Sequence, residues 1–250
     1  MRRYIRAELT RNLTRSYFLG MTLGLSILGI ILNLVFSIGN LDNSYLFLFE
    51  SIGQMYVMGI FLLIILVDMV TIEEFKNQTI KNVLASGLSR NKIIAGKITA
   101  TAILGLVACL TIIGTYFISG RIILKLENTS LLGGLYRDLF FQLLGVIPLW
   151  IGGAALMTFS YILIRKSFLA GFFYYISIFI FPVIVDNIAR LKNYRLLMAV
   201  NNNLSISNTM AKMIMSENLS QDFIHGLLLG LGYLLVFSGL SMLAFKKRDI

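Results

Sequence analysis

Residues 53–72, GQMYVMGIFLLIILVDMVTI, form a run of twenty residues with a single charge, Asp68. That is the length a helix needs to cross ~30 Å of hydrocarbon at ~1.5 Å per residue. The core of the run, residues 61–67, is continuously apolar, whereas a barrel strand would alternate polar and apolar residues over ~10 positions. Helix is therefore the expected form. Residues 17–38, 99–120, 139–164, 168–185 and 226–245 repeat the pattern. The expected architecture is an all-α polytopic membrane protein of six transmembrane helices, forming one domain over residues 1–250.

Composition agrees. Hydrophobic residues make up 57% of the chain, mean hydropathy is +0.82 and only 14% of residues are charged, against ~25% in soluble domains. The net charge of +10 raises the question of a nucleic-acid partner, and its distribution answers it. With six spans both termini share one side. That side collects Arg2, Arg3, Arg6, Arg11, Arg15, Lys76, Lys81, Arg90, Lys92, Lys97, Arg165, Lys166, Lys246, Lys247 and Arg248 against Glu8, Asp68, Glu73, Glu74 and Asp249. The other side balances Arg121, Lys125, Arg137, Arg190, Lys192, Arg195 and Lys212 against Asp42, Glu50, Glu127, Asp138, Asp186, Glu217 and Asp222. All the excess charge lies on one side, the positive-inside pattern. It predicts a multi-pass protein of the cell membrane with both termini cytoplasmic, basic residues against anionic lipid and no nucleic-acid partner.

The segments between spans carry their own signals. Residues 1–16 place Tyr4, Ile5, Leu9 and Leu13 among arginines, as in a helix lying in the interface. The apolar run after Arg15 is too long for the core of a signal peptide and is expected to remain as an anchor. Residues 165–167 read as a tight inner turn. In the outer segment, residues 186–225, Ile188, Leu191 and Leu197 predict one short helix that Asn201 to Asn203 end, and Ser207 is expected to cap a second bearing Met210, Met213 and Ile214.

Catalytic signatures are weak. Gly96-Lys97 is the nearest approach to a phosphate-binding loop, but Asn91 replaces the first glycine and Ile98 the hydroxyl residue that would reach Mg²⁺. The single histidine, His225, and the single cysteine, Cys109, give no metal-ligand set with Glu73 and Glu74. No enzyme activity, metal or cofactor is expected of this chain itself. Asp68, about one turn inside the second span, needs water or a partner; Lys97 matches it in depth, and the two form a candidate membrane ion pair unless Lys97 snorkels. Gly20 with Gly24, and Gly226 with Gly230, offer small faces for packing or dimerisation. Phe172, Phe173, Tyr174, Tyr175 and Phe179 of the fifth span are candidates for a substrate path or for packing.

The loop at residues 73–98 is the most informative soluble stretch. Residues 73–86 are expected to continue the second span as a helix with Ile80, Val83, Leu84 and Leu88 on one apolar stripe. Gly87 stops it, and Ser89 starts a new helix through Arg90.

At Glu74-Phe75, Thr79-Ile80-Lys81, Ser89-Arg90 and Lys97 the chain resembles the ABC-2-type permease family, with Gln78 standing where members often have Gly. The resemblance extends in outline to length, span number and the two long loops. It implies a permease that pairs with a second copy or a homologue above separate ATP-binding cassette subunits, which bring ATP and Mg. The loop would be the coupling helix: Phe75, Ile80, Val83 and Leu84 as apolar docking surface, Lys81 and Arg90 at its rim, with Glu73, Glu74, Thr79 and Ser89 completing the element. Similar short permeases often export peptides, so an amphipathic or peptide-like substrate is expected. The alternative is a stand-alone channel or peptide-immunity protein.

Overall fold

The computed structural model describes residues 1–38, 45, 47–124, 129–215 and 219–247. Of the residues in the charge comparison, Asp42, Lys125, Glu127, Glu217, Arg248 and Asp249 lie outside them. Most of the described residues are helical, with no strand among them. Six of the helices are long and apolar enough to cross a membrane, so the chain is an all-α, multi-pass membrane protein. The segments are α1 (Arg2–Leu13), α2 (Ser16–Ile38), α3 (Phe47–Val67) leading into α4 (Glu73–Lys76), α5 (Ile80–Ala85), α6 (Arg90–Ile123), α7 (Thr129–Ile164), α8 (Ser167–Tyr175) leading into α9 (Phe181–Leu191), α10 (Arg195–Leu204), α11 (Ile206–Met215) and α12 (Leu219–Lys246).

The most extensive contact joins α7 and α12. It is built on glycines, because between lipid-solvated helices close backbone approach replaces the hydrophobic effect as the source of attraction. Gly226 and Gly230 of α12 face Gly145, Pro148 and Gly152 of α7. The other glycine pair behaves differently: a side chain at Gly20 or Gly24 would meet nothing within 4 Å. The first span packs instead through Phe18, Thr22, Ser26, Gly29 and Asn33, its buried residues, mainly against α6. Asn33 Nδ2 donates to the Tyr116 carbonyl at 2.9 Å and to Ser119 Oγ at 2.8 Å.

Two spans contain one π-helical turn each. In the second span it covers Asp68–Ile72. In the fifth it covers Ile176–Ile180 and precedes Pro182. Proline lacks the N–H that would serve Ile178 in an α-helix, and Ser207 Oγ donates to the Ile178 carbonyl at 2.7 Å. Ser207 is thus a bridge to the fifth span rather than the cap expected of it. Ser205 takes the capping role, accepting from the Asn208 N–H at 3.3 Å. The single helix expected through Ile188, Leu191 and Leu197 is split between α9 and α10 at residues 192–194, where Asn193 has φ of 52°; Asn201 to Asn203 form the last turn of α10, which ends at Leu204, and Asn201 Nδ2 donates to the Pro182 carbonyl at 2.8 Å.

The predicted continuous helix over 73–86 is broken in two. Asn77 ends α4, and Gln78 has φ of 56°, a left-handed conformation that costs an L-residue roughly 1–2 kcal/mol and glycine almost nothing. Gln78→Gly is expected to raise stability by up to about 1 kcal/mol after the unfolded chain's extra freedom is counted, and Gln78→Val to lower it. Thermal unfolding of the detergent-solubilised protein gives the order; Val equal to Gly would contradict it.

Candidate functional site at the ionic end of the bundle

One end of the bundle gathers the N-terminal helix, the 77–89 loop, the 165–166 turn and the end of α12. Here α1 lies against α6, with Tyr4 seated over Gly96, where a Cβ would stand 2.8 Å from its ring. This contact brings Glu8, 3% exposed, beside Lys97, wholly buried. Lys97 Nζ lies 2.6 Å from Glu74 Oε2 and 3.8 Å from Glu8 Oε1, and it donates to the Val70 carbonyl of the π turn at 2.7 Å.

Arg11 closes the network, pairing with Glu8 at 2.8 Å and with Glu74; Arg15 pairs with Glu73. Three carboxylates thus face three cations, so the cluster is neutral as a whole. Burial pushes the Glu8 carboxyl above its ordinary range, opposed by the charge of Lys97, and burial also raises the Tyr4 phenol.

The proposed Asp68–Lys97 pair is not formed. Asp68 Oδ1 accepts from Ser167 Oγ at 2.7 Å, tying the second span to the start of the fifth. One extra residue in the π turn rotates the positions after it by about 100° relative to a straight α-helix, and it is Glu74, beyond the turn, that meets Lys97.

The loop residues divide by environment. Ile80, 1% exposed, inserts among Ile93, Ile94, Ile98, Ala155, Ile162 and Phe245, with Val83 and Leu84 partly buried against the same group. Phe75 lies edge-on between Tyr161 of α7 and Phe245 of α12, 5.8 and 5.3 Å away between ring centroids. Phe75 and Ile80 therefore hold the loop to the bundle and are not an outward docking surface.

Arg90 is likewise drawn inward. It donates to the carbonyls of Phe245 and Lys246 at 2.9 and 2.8 Å and lies over the Phe245 ring, where a cation at a helix C-terminus is favoured. Ser89 precedes α6 with extended backbone, and its hydroxyl makes no capping bond. Thr79 Oγ1 donates to the Glu74 carbonyl at 3.3 Å. Exposed in the loop are Asn77, Gln78, Thr79, Lys81, Asn82, Ala85, Ser86, Gly87 and Ser89. The loop presents a small polar face outward, while its inner side is fastened to the second, third, fourth and sixth spans.

The fifth-span aromatics also divide. Tyr174 is buried and its hydroxyl donates to the Ile60 carbonyl at 3.3 Å, so it is packing. Tyr175 and Phe179 group with Phe61, the Phe61 and Phe179 rings stacked 5.2 Å apart, while Phe172 and Phe173 face outward. Among the described residues no three His, Cys, Asp or Glu side chains gather as metal ligands.

Sequence reasoning misses Glu8 and Arg11 as site residues. The available signal is one carboxylate in an otherwise arginine-rich helix, three residues from an arginine. It also misses the stripe 18-22-26-29-33, whose spacing is helical although its residues are mostly polar or small.

No curated protein matches this sequence. A family profile described as "Protein of unknown function (DUF2705)" matches residues 32–250, which takes in all six spans except the first part of α2, together with the whole of the loop. On that match the chain belongs to the DUF2705 family.

Proposed function

We propose that this protein is the transmembrane subunit of an ATP-binding cassette exporter of the ABC-2 type, set in the cell membrane with both termini in the cytoplasm. It works beside a second copy or a homologue and moves an amphipathic or peptide-like substrate. The ATP and Mg belong to a separate ATPase subunit that docks at the ionic end, and this chain is not itself an enzyme. One observation carries the reading: the loop at 77–89 offers a solvent-facing surface while its inner side is fixed to four spans, so a displacement imposed on it must move those spans together.

In this mechanism ATP-driven closure of the ATPases pushes the outward face of α5. Ile80, Phe75 and Arg90 pass the displacement to α7 and α12, and the ion network passes it to α1 and α6. The result is a shift between inward-open and outward-open populations. Lys81 and Ala85, both exposed, belong to the docking face without supporting the fold.

The test uses Lys81→Glu with Ala85→Glu. Tagged wild-type protein purified from its source membrane should carry a subunit bearing a phosphate-binding loop, identified by mass spectrometry, and should hydrolyse ATP. The variant should insert and unfold like wild type but lose at least about tenfold of that hydrolysis. Wild-type protein that elutes alone and conducts ions or protects against a peptide without ATP would overturn the proposal in favour of a stand-alone channel or immunity protein.

A further inference from the structure

The chain between the fifth and sixth spans does not stay at the surface of the bundle. At the turn between α10 and α11, the Leu204 carbonyl accepts from the Tyr233 hydroxyl at 2.9 Å, and Ser207 Oγ donates to the Ile178 carbonyl at 2.7 Å. Tyr233 lies against Gly152, near the middle of the fourth span, and Ile178 stands at the middle of the fifth. The other ends of both helices lie away from that level. Ile214 of α11 rests on Gly53 and Met213 on Gly145, toward the end of the bundle opposite the ionic network. The Tyr194 N–H, just before α10, donates to the Ala189 carbonyl at 2.9 Å, and Asn201 reaches back to Pro182. Residues 195–215 are therefore a re-entrant hairpin, with α10 running inward beside α9 and α11 running back out.

The two sides of α10 differ. Asn201 is buried toward α9. Leu196, Ala199, Val200, Asn203 and Leu204 are all exposed, and their spacing of three and four residues puts them on one stripe. Leu196 is 79% exposed and Leu204 57%. Asn203 sits within this stripe, close to the inner tip of the hairpin, and its carboxamide makes no hydrogen bond among the described residues.

Three surroundings compete for such a stripe. Lipid suits its apolar members and fails the amide, because acyl chains neither donate nor accept and an unpaired polar group in hydrocarbon costs several kcal/mol. Water suits the amide and fails the rest, since four of the five side chains are Leu, Val or Ala and their hydration is what the hydrophobic effect opposes. A protein surface that is apolar around a single amide satisfies both.

A second copy of the chain brings that surface. A carboxamide carries donor and acceptor together, so Asn203 can pair with its own counterpart across a two-fold axis, where the same patch faces itself. The spacing is that of a helix-helix seam: Leu196 and Asn203 are seven residues apart, and Ala199 between them is small enough for backbones to approach. An asparagine at such a seam position fixes the register of two paired helices. The stripe from 196 to 204 carries no charge, so it holds nothing for an oppositely charged partner to read. Arg195 stands eight residues, about 12 Å, farther out than Asn203, at the level of headgroups and water.

We propose that the exposed stripe of α10 is an interface between two copies of this protein, packed about a two-fold axis along the membrane normal with the two Asn203 carboxamides hydrogen-bonded to each other. The pairing deepens the reading of a permease that works beside a second copy or a homologue, and it rests on that reading for its purpose but not for its evidence. Its experiment involves neither an ATPase nor transport, so either can fail without the other.

The test places Ala199→Cys and, separately, Leu228→Cys of α12, 63% exposed, in a full chain carrying Cys109→Ala, which removes the only native cysteine. In the membranes where the protein is made, copper phenanthroline is expected to convert Ala199→Cys to a disulfide-linked homodimer within a time that leaves Leu228→Cys, the measure of random collision, monomeric. Energy transfer between labelled full chains in liposomes then gives the strength of pairing. Asn203→Leu should weaken it at least about fivefold, while Asn203→Gln, which keeps the amide, should retain most of it. Ala199→Trp, which blocks close approach from the same stripe, should act like Asn203→Leu.

Disulfide formation no faster at Ala199→Cys than at Leu228→Cys would mean that lipid covers the stripe and would overturn the interface. Rapid reaction of Ala199→Cys with a membrane-impermeant thiol reagent, added to both faces of opened membranes, would assign the stripe to an aqueous cavity and overturn it too. So would a disulfide to a different protein, or pairing that persists unchanged in both Asn203→Leu and Ala199→Trp and therefore uses another face.

Discussion

Replacing Lys97 by methionine will cost about 3–5 kcal/mol of stability, the loss typical of a buried ion pair stripped of one partner. Methionine fills the space but leaves Glu74 and Glu8 sharing Arg11 alone, and it leaves the Val70 carbonyl without its donor. Glu8 makes the loss pH-dependent. Its carboxyl already stands above the ordinary range through burial, held back by Lys97, and without that charge it rises further. The folded variant then holds more protons than the unfolded chain from about pH 4 upward, so its stability falls as pH rises and recovers toward acid. The check is thermal unfolding of both proteins between about pH 4 and pH 8, with a deficit largest at the alkaline end. A flat, small deficit would mean that the network does not hold α1 to the bundle. Lys97→Met combined with Glu74→Met should restore part of the stability, since it removes a stranded charge together with its partner.

Lys97 also marks where the sequence stops being readable. The six spans derive from composition and run length, which depend on the bilayer as solvent and on little else. The pairing of Lys97 with Asp68 rests on depth alone. Depth fixes one coordinate; which carboxylate meets Lys97 depends on azimuth as well, and the π turn at Asp68–Ile72 shifts the azimuth of Glu74 away from that of a regular helix. Nothing in Asp68-Met69-Val70-Thr71-Ile72 announces a π turn, because it is stabilised from outside, by Lys97 on the Val70 carbonyl. The helix expected through Ile188, Leu191 and Leu197 misleads for a related reason. The apolar spacing carries across residues 192–194, but Asn193 takes φ of 52° there and splits the stretch into α9 and α10. The loop illustrates a third limit. Its amphipathic stripe is legible, yet periodicity does not tell whether the apolar side meets a partner protein or the bundle itself; Ile80 and Phe75 turn inward because α7 and α12 supply a complementary surface.

The two glycine pairs look alike in sequence and differ in the fold, and this difference sets the second large effect. Gly230→Ala is expected to force α12 away from α7. A Cβ there would overlap the Pro148 carbonyl and stand 2.7 Å from the Leu149 nitrogen, and backbone atoms cannot step aside as a side chain can. Across the same seam a Cβ at Gly152 would stand 2.7 Å from the Gly230 carbonyl oxygen. Overpacking of this kind costs about 1–3 kcal/mol, occasionally more, and the upper part of that range applies because this is the largest interface in the molecule. Gly152→Ala should act similarly. The double variant should cost less than the sum, because helices already separated have room for the second methyl. Gly232→Ala and Gly239→Ala, whose side chains would enter open space on the same helix, should be neutral or gain up to about 1 kcal/mol of helix propensity. Thermal unfolding in one detergent orders all of these variants. Gly230→Ala as stable as Gly232→Ala would show that the α7–α12 crossing is not set by backbone contact, and that the sixth span reaches Arg90 and Phe75 by some other constraint.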